Sequence, residues 1–408
     1  MPKSSPTKQA LIAAVEGGGT TFIVTIALVR TCETPNLTIP HTRFEILHQE
    51  SILTTTPSET LDKTCNFFTK HRPQNRYDSL GICTFGPVGV NPKDTQHYGC
   101  ILSGSPKRDW RNIDILSPIL KACSSADGKR VPLYKVETDV NAPAMAEYEY
   151  WTRTNRSSST ASTTISSLAY ITVGTGIGVG LVINGKPVHG MMHPEGGHVP
   201  VVPLGGDDFA YSWGDKSPFK GKNTVEGTAS SVALTERLTL VSQLTESSAF
   251  QSTSREGLKD LSDDDPIWDH AANALANLCV TLSLVTSVEK IVFGGGIMNR
   301  EVLYDKIRSR TKELLNGYLD LPQVTTEEGL KEYIGPSIWK EQGAGLVGAL
   351  VLAQVALEEE DRKMELLEES MVSPRVKNTS YVKCPMTAIA SYGSIFALGM
   401  LIGSRNKR

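Results

Sequence analysis

The sequence predicts an α/β protein made of two lobes of similar design. Units of strand, Gly/Thr-rich turn and strand occur around residues 10–28 and again around 171–183, a spacing of roughly 150 residues that is typical of an internal duplication. A chain of 408 residues is also long for a single core, which favours two lobes.

The first unit has an acidic residue, Glu16, at the end of an apolar strand, followed by the turn 17–21, Gly-Gly-Gly-Thr-Thr. Because glycine lacks a Cβ atom, such a backbone can approach an anion closely, and a Thr hydroxyl adds a donor. No Gly-Lys-Ser/Thr precedes a helix, so this is not a Walker loop. By itself, an ordinary glycine-rich hairpin would explain the pattern better.

The second unit repeats this arrangement. Glycines alternate through 174–180, Thr175 supplies the hydroxyl, and the second strand ends at Asn184-Gly185, a dipeptide typical of a type I′ hairpin turn. Two such turns predict that each lobe presents a hairpin to the same phosphate chain.

Asp139 follows the predicted strand 133–138 and precedes the Ala-rich run 142–147, which favours a helix. Its carboxylate has two interpretations. It can cap the helix, which is the commoner role of Asp in this place, or it can act as a general base in phosphoryl transfer. The neighbouring glycine turns favour the base.

The rest of the chain follows an α/β pattern. Helices are expected over 58–69, 230–244 and 268–285, and strands over 80–85 and 290–294. The Ser/Thr-rich stretch 152–167 is expected to be a flexible loop between lobes. The predicted divisions are an N-terminal lobe at 1–151, this loop, a C-terminal lobe at 168–357 and a tail at 358–408.

Composition excludes several classes of protein. The formal charge of −3 and the lack of a long basic run argue against a nucleic-acid partner. Seven scattered cysteines without a CxxC spacing indicate neither disulfides nor a cysteine zinc site. No secretory signal precedes residue 10, so a cytoplasmic location is expected.

Residues 384–403 are uncharged and long enough for a membrane span, but polar residues lower the hydrophobicity of this segment. A docked or disordered tail is therefore favoured over a tail anchor.

The chain from Ala10 to Ala356 resembles the ROK family of sugar kinases, most closely its fructokinase branch. The resemblance implies an actin-like ATPase (ribonuclease H-like) fold, with two α/β lobes that close over a sugar and MgATP. The motifs that carry it begin at Glu16 (EGGGTT), Thr84 (TFGPV), Glu137 (ETDVN), Gly174 (GTGIGVG), His193 (HPEGGH), Glu226 (EG) and Gly294 (GGGIM).

The resemblance also implies residue roles. Asp139 would be the catalytic base, and Glu16 would hold Mg²⁺ through water. The sugar would be bound by Glu195, His198, Glu226 and Asn141. The phosphates of ATP would lie on Gly18, Thr20, Thr21, Gly174, Thr175 and Gly176. The adenosine would lie on Gly294, Gly295, Gly296, Ile297 and Met298.

Two departures from the family pattern are visible. Where bacterial members carry zinc ligands downstream of the His198 position, this chain has 217–223, Ser-Pro-Phe-Lys-Gly-Lys-Asn. Tetrahedral zinc needs about four ligands, so we predict no zinc, with Phe219 and Trp213 packing in its place; one equivalent of zinc in the purified protein would contradict this. Thr21 stands where relatives often carry Lys, which removes a positive charge near the phosphates.

The function that follows is ATP-dependent transfer of phosphate to a hexose, with D-fructose and fructose 6-phosphate favoured by the branch resemblance. A kinase for glucose, mannose or an N-acetylhexosamine would share every motif. A sugar-binding regulator without turnover is the other alternative, although no helix-turn-helix is expected before Ala10 and the base is present. Whether the chain forms a homodimer is open.

Overall fold

The computed structural model describes residues 9–30, 44–73, 76–157, 165–205, 207, 209, 218–245, 255–340 and 343–372. The chain divides into two units, 1–360 and 361–408, and of the second only 361–372 is described. Among the helices of these ranges, none has both the length and the apolar character needed to cross a bilayer. The tail segment 384–403 lies outside them.

The first sheet carries the N-terminal glycine turn. Its strands are β1 (Gln9–Gly17), β2 (Thr21–Arg30), β3 (Phe44–Leu53), β4 (Ser79–Thr84) and β7 (Leu133–Thr138), in the order β3-β2-β1-β4-β7. The first three strands are antiparallel, whereas β4 and β7 run parallel to β1. The ribbon β5 (Cys100–Ile101) and β6 (Ile113–Asp114) and the helices α1 (Pro57–Lys70), α2 (Leu116–Cys123) and α3 (Asn141–Ser157) accompany it.

The second sheet carries the other glycine turn. Its strands are β8 (Ser167–Val173), β9 (Ile177–Ile183), β10 (Lys186–Pro187), β11 (Ile291–Gly294) and β12 (Ile334–Pro336), in the order β10-β9-β8-β11-β12. The helices that follow are α4 (Val225–Ala229), α5 (Ser231–Thr245), α6 (Arg255–Asp260), α7 (Ile267–Thr286), α8 (Val302–Leu315), α9 (Pro322–Thr325), α10 (Glu327–Tyr333) and α11 (Ala344–Val372).

The two sheets share one plan. Each starts with an antiparallel hairpin, β1–β2 or β8–β9, and adds a strand parallel to its first one, β4 or β11. The two glycine turns therefore occupy equivalent places, at the carboxyl end of the first strand of each sheet. Ligands of α/β sheets commonly bind at this end.

Two helices pack across the predicted lobe divisions. Ala144 and Met145 of α3 belong to the apolar cluster of Leu168 and Val182 in the second sheet. Leu350 of α11 packs with the first sheet instead. In addition, α3 extends through Ser157, so the beginning of the predicted flexible loop 152–167 is helical; residues 158–164 of that loop lie outside the described ranges.

Glu147 of α3 joins the two halves of the molecule. Its fully buried carboxylate accepts hydrogen bonds from the Ser337 hydroxyl (2.6 Å), the Ile338 N–H (3.1 Å) and the Trp151 indole (3.1 Å). Burial raises the pKa of Glu147 to about 7, although these hydrogen bonds oppose the shift. The folded protein therefore keeps a proton on Glu147 at pH values where the unfolded chain has lost it.

This proton makes stability depend on pH. Between the unfolded pKa near 4.5 and the folded value of about 7, the folded state binds more protons, so the free energy of unfolding falls as pH rises. We expect Glu147→Gln to flatten this slope, with a difference of about 1 to 3 kcal/mol between wild type and variant across the interval. Urea unfolding at several pH values measures the free energy of unfolding of both proteins. If it changes with pH equally in wild type and in Glu147→Gln, the raised pKa of Glu147 is contradicted.

Candidate active site

The N-terminal glycine turn is fixed from both sides. The Gly18 N–H donates to the Thr21 carbonyl (2.9 Å) and closes the turn. Thr54, at the end of β3, donates its N–H to the Thr20 carbonyl and its hydroxyl to the Gly18 carbonyl (2.8 Å). Gly19 and Thr20 remain exposed, so the tip of the turn is open to a ligand.

The second glycine turn rests on Glu226. Oε2 of Glu226 accepts the Ile177 N–H (2.8 Å), and a Cβ atom at Gly176 would lie only 2.5 Å from the same oxygen. A side chain at 176 would therefore displace the Glu226 carboxylate that supports the turn. The Gly174 carbonyl accepts the N–H of Ser231, the first residue of α5, while Thr175 is exposed. The base of the turn is thus fixed by these hydrogen bonds, and its tip at Thr175 is exposed.

Asp139 is not the cap of α3. The Thr138 hydroxyl accepts the Asn141 N–H (2.9 Å) and takes that role. The Asp139 N–H donates to the Thr84 carbonyl (2.9 Å), which fixes the backbone, and within the described residues no other side chain bonds to its carboxylate. The side chain is largely enclosed by protein and keeps partial access to solvent. A carboxylate with this freedom can accept a proton from a ligand.

The acidity of Asp139 is strongly shifted. Burial, followed by the negative charges of Glu16 and Glu195, raises the pKa of Asp139 to about 7, against the opposing effect of its own backbone N–H. Glu16 comes from the first sheet and Glu195 from the segment after β10, so both halves of the molecule meet at this carboxyl. A general base works best when its pKa lies near the working pH.

Glu16 lies directly before the first turn and beside the start of α11. One of its interactions is with the backbone N–H of Leu346, and its Oε2 is buried without a hydrogen-bond partner in the described residues. Burial raises the pKa of Glu16. A buried carboxylate oxygen without a partner in the described residues, beside the first glycine turn, suits a hard cation such as Mg²⁺. In the described ranges no group of three or more His, Cys, Asp or Glu side chains forms a metal site by itself, so phosphate and water oxygens would complete the shell.

The predicted sugar ligands converge on His198. Its Nε2 lies 3.9 Å from Glu195 Oε2, and its Nδ1 lies 3.9 Å from Glu226 Oε1. That Nδ1 is buried and has no hydrogen-bond partner in the described residues. Burial raises the pKa of Glu226, while the Ile177 N–H and His198 oppose this rise. Two carboxylates and an imidazole are thus brought close together, and all three are groups that can form hydrogen bonds to hydroxyls.

His193 also belongs to the site, although no role was expected for it from the sequence. Its side chain is buried; Nε2 accepts the Val88 N–H (3.4 Å), and Nδ1 lies 3.4 Å from Glu195 Oε1. It therefore connects the Gly86-Pro87 turn of the first half to the Glu195 carboxylate of the second. The signal in the sequence was its place at the start of the HPEGGH motif.

Asn141 has no surface with which to touch a sugar. It is fully buried, its Nδ2 donates to Glu137 Oε2 (3.2 Å), and its Oδ1 accepts the Leu181 N–H of β9 (3.2 Å). The other Glu137 oxygen lies 2.6 Å from His189 Nε2. The geometry gives Asn141 a connecting role between β7 and β9, in place of the substrate contact expected from the resemblance.

The predicted adenosine loop is divided between surface and core. Gly295 and Gly296 are exposed just beyond β11, and Gly295 has a φ of 90° that favours glycine. Gly294 is buried against the Tyr170 hydroxyl, and Ile297 is half-buried. Met298 is only 1% exposed and belongs to the apolar core of the second sheet. The exposed glycines can lie against a nucleoside, but Met298 cannot.

Asn223, at the end of the segment that lacks the zinc ligands, accepts a hydrogen bond from the Val201 N–H (2.6 Å). Charged side chains that precede and follow this segment in the chain pair with one another. Asp207 forms a bidentate pair with Arg237 (3.0 and 2.7 Å), and His270 Nδ1 lies 3.1 Å from the same carboxylate. The expectation that Phe219 packs in place of zinc is wrong, because its side chain is 62% exposed. Trp213 lies outside the described ranges, and the absence of zinc stays a prediction.

Comparison with known proteins identifies relatives along most of the chain. The family model described as "ROK family" matches residues 32–356. Fructokinase of Pediococcus pentosaceus is 31% identical over 347 residues, covering 85% of this chain and 99% of that protein. Fructokinase of Zymomonas mobilis is 32% identical over 352 residues, covering 85% and 97%.

A solved structure agrees with the architecture. The ROK family glucokinase of Streptomyces griseus, in complex with glucose and AMPPNP, is 22% identical and has a TM-score of 0.56, with coverage of 84% of this chain and 99% of that one. The expected two-lobed actin-like ATPase fold is thereby confirmed.

Proposed function

We propose that this chain, which belongs to the ROK family and is a sugar kinase, transfers the γ-phosphate of ATP to D-fructose and forms fructose 6-phosphate. The kinase class follows from the family and the fold. The choice of fructose rests on the two fructokinases described above, because no contact in the site selects a ketose.

The observation that best supports the mechanism is the state of Asp139. Its carboxylate is free of protein side-chain partners in the described residues, and its pKa is raised to about 7. In the proposed step, the sugar hydroxyl oxygen forms a bond to the γ-phosphorus, the bond from that phosphorus to the β-phosphate oxygen breaks, and the hydroxyl proton passes to Asp139. The products are the sugar phosphate and ADP.

The remaining residues position the reactants. Glu195, His198 and Glu226 are proposed to bind sugar hydroxyls, and the two glycine turns are proposed to hold the phosphates through backbone N–H groups. Gly295 and Gly296 are proposed to lie against the adenosine. Glu16 would hold Mg²⁺ through water, and the ion would neutralise phosphate charge. Catalysis by positioning and charge neutralisation is typical of phosphoryl transfer.

The test is a coupled assay with MgATP and separate hexoses: fructose, glucose, mannose, N-acetylglucosamine and N-acetylmannosamine. Fructose should give the highest kcat/KM. A higher value for another hexose would replace the proposed substrate while leaving the kinase in place. Binding of a hexose without phosphorylation of any of them would contradict a kinase and favour the regulator.

A further inference from the structure

The phosphate site is crowded with negative charge. Glu16 and Glu195 act on Asp139, and Glu195 also acts on Glu226; burial together with these negative charges raises the pKa of Asp139 and of Glu226. A nucleoside triphosphate adds several more negative charges. The first turn, residues 17–21, contains no Lys or Arg. Binding a triphosphate here calls for a cation from another part of the chain.

Lys107 lies against the tip of that turn. A Cβ atom at Gly19 would be 3.3 Å from Lys107 Cε, so the end of the lysine side chain is adjacent to the exposed glycine. Lys107 is far from the turn in sequence, and no spacing rule would have placed the two together. The contact is a product of the fold.

The loop that carries Lys107 is attached to the segment directly after β3, which also holds the first glycine turn. The Trp110 indole donates to the Thr55 carbonyl (3.1 Å), and its ring packs on Phe22 of β2 (centroids 5.3 Å apart) and on Phe85 (5.5 Å). Thr54, next to Thr55, is the residue that bonds to the turn at Gly18 and Thr20. Lysine and turn are thus held by neighbouring residues, which fixes their separation before any ligand binds.

The Lys107 ammonium is not committed to an acidic partner. In the described residues it forms no ion pair, and it lies 5.7 Å from the centroid of the Phe85 ring. The side chain is half-buried. An ammonium at 5.7 Å is near the outer limit of a cation–π interaction, so a phosphate oxygen at the turn can compete for it.

We infer that Lys107 binds the terminal phosphate of ATP at the first glycine turn and neutralises the charge that develops during transfer. The proposed base lies near this turn, because the Asp139 N–H bonds to the Thr84 carbonyl and Thr84 pairs with Gly17, the first residue of the turn. A phosphate close to both Lys107 and Asp139 would therefore be the one that is transferred. Lys107 keeps its proton throughout; the hydroxyl proton goes to Asp139. This inference rests on the proposed function and adds a catalytic cation to it.

The experiment compares Lys107→Met, Lys107→Arg and the control Arg108→Met. Arg108 is the exposed neighbour of Lys107, so its substitution removes the same charge from the same loop without affecting the turn. Two quantities are measured for each variant: the equilibrium Kd for AMPPNP and for ADP, both with Mg²⁺, and kcat with the best hexose. Thermal melting confirms that each variant folds.

For Lys107→Met we expect kcat to fall about 100-fold, as for loss of one preorganised donor to a transition state. The Kd for AMPPNP should rise about 10-fold, with that for ADP changed less than about 3-fold. Lys107→Arg should recover part of both losses because it keeps the charge, and Arg108→Met should match wild type.

Unchanged AMPPNP binding in Lys107→Met would overturn the inference, as would a change confined to the KM for the sugar, which would move Lys107 to the sugar site. Equal weakening of AMPPNP and ADP would also overturn it, because the terminal phosphate would not be the group bound. If wild type phosphorylates no hexose, the proposed function fails, yet the two Kd values still test Lys107 by themselves.

Discussion

Replacing Asp139 with Asn is expected to lower kcat by about 10²- to 10⁴-fold while the Kd for the sugar changes little. The amide has nearly the same shape, but it cannot accept the proton of the attacking hydroxyl. Because the Thr138 hydroxyl caps α3, the substitution leaves the helix start intact. Steady-state kinetics and direct sugar binding separate the two effects.

Asp320→Asn is the matched control for this prediction, since Asp320 is exposed in the loop after α8. It should retain wild-type kinetics. Turnover of Asp139→Asn within about 3-fold of wild type would remove Asp139 from the proton transfer, given that a positioned base contributes at least about 100-fold.

The second large effect is expected at Glu226, which serves both halves of the site. Glu226→Ala leaves the buried Ile177 N–H without its acceptor, a loss of about 1 to 3 kcal/mol, and removes the carboxylate near His198. We expect kcat/KM for both the sugar and MgATP to fall about 10- to 100-fold, because the second glycine turn loses its support.

Glu226→Gln distinguishes the two roles of this residue. The Gln side-chain carbonyl can still accept the Ile177 N–H, so the turn stays supported and kcat/KM for MgATP should remain within about 3-fold of wild type. The negative charge near His198 is lost, so kcat/KM for the sugar should still fall. Equal losses for both substrates in Glu226→Gln would contradict this division.

Features that depend on neighbouring residues could be predicted from the sequence. The two glycine turns follow from local chemistry, since a strand, glycines and a Thr hydroxyl define such a hairpin without long-range information. The three-residue spacing of Glu195 and His198 likewise places their side chains near each other, 3.9 Å apart in the structure.

Features that depend on tertiary contacts could not. The sequence favoured Asp139 as a base over a helix cap only through its neighbouring motifs, because Thr138 and Asp139 both precede the helix and only the fold shows which of them bonds to Asn141. The burial of Asn141 depends on β9, some forty residues later. The contact of Lys107 with Gly19 likewise joins distant parts of the chain. Neither hydrophobic periodicity nor sequence motifs indicate which distant residues come into contact.

The pH dependence of kcat/KM tests most directly whether Asp139 is the base. With a raised pKa of about 7, Asp139 is protonated and inactive as a base at lower pH, so activity should rise with pH and level off above neutrality. Because Glu147 also has a pKa of about 7, Glu147→Gln serves as the control and should keep the same profile. For wild type we predict that kcat/KM rises with pH as a single proton is lost, with a midpoint near the raised pKa of Asp139. A flat profile from about pH 5 to pH 8, where an unperturbed Asp would already be ionised, would contradict the account.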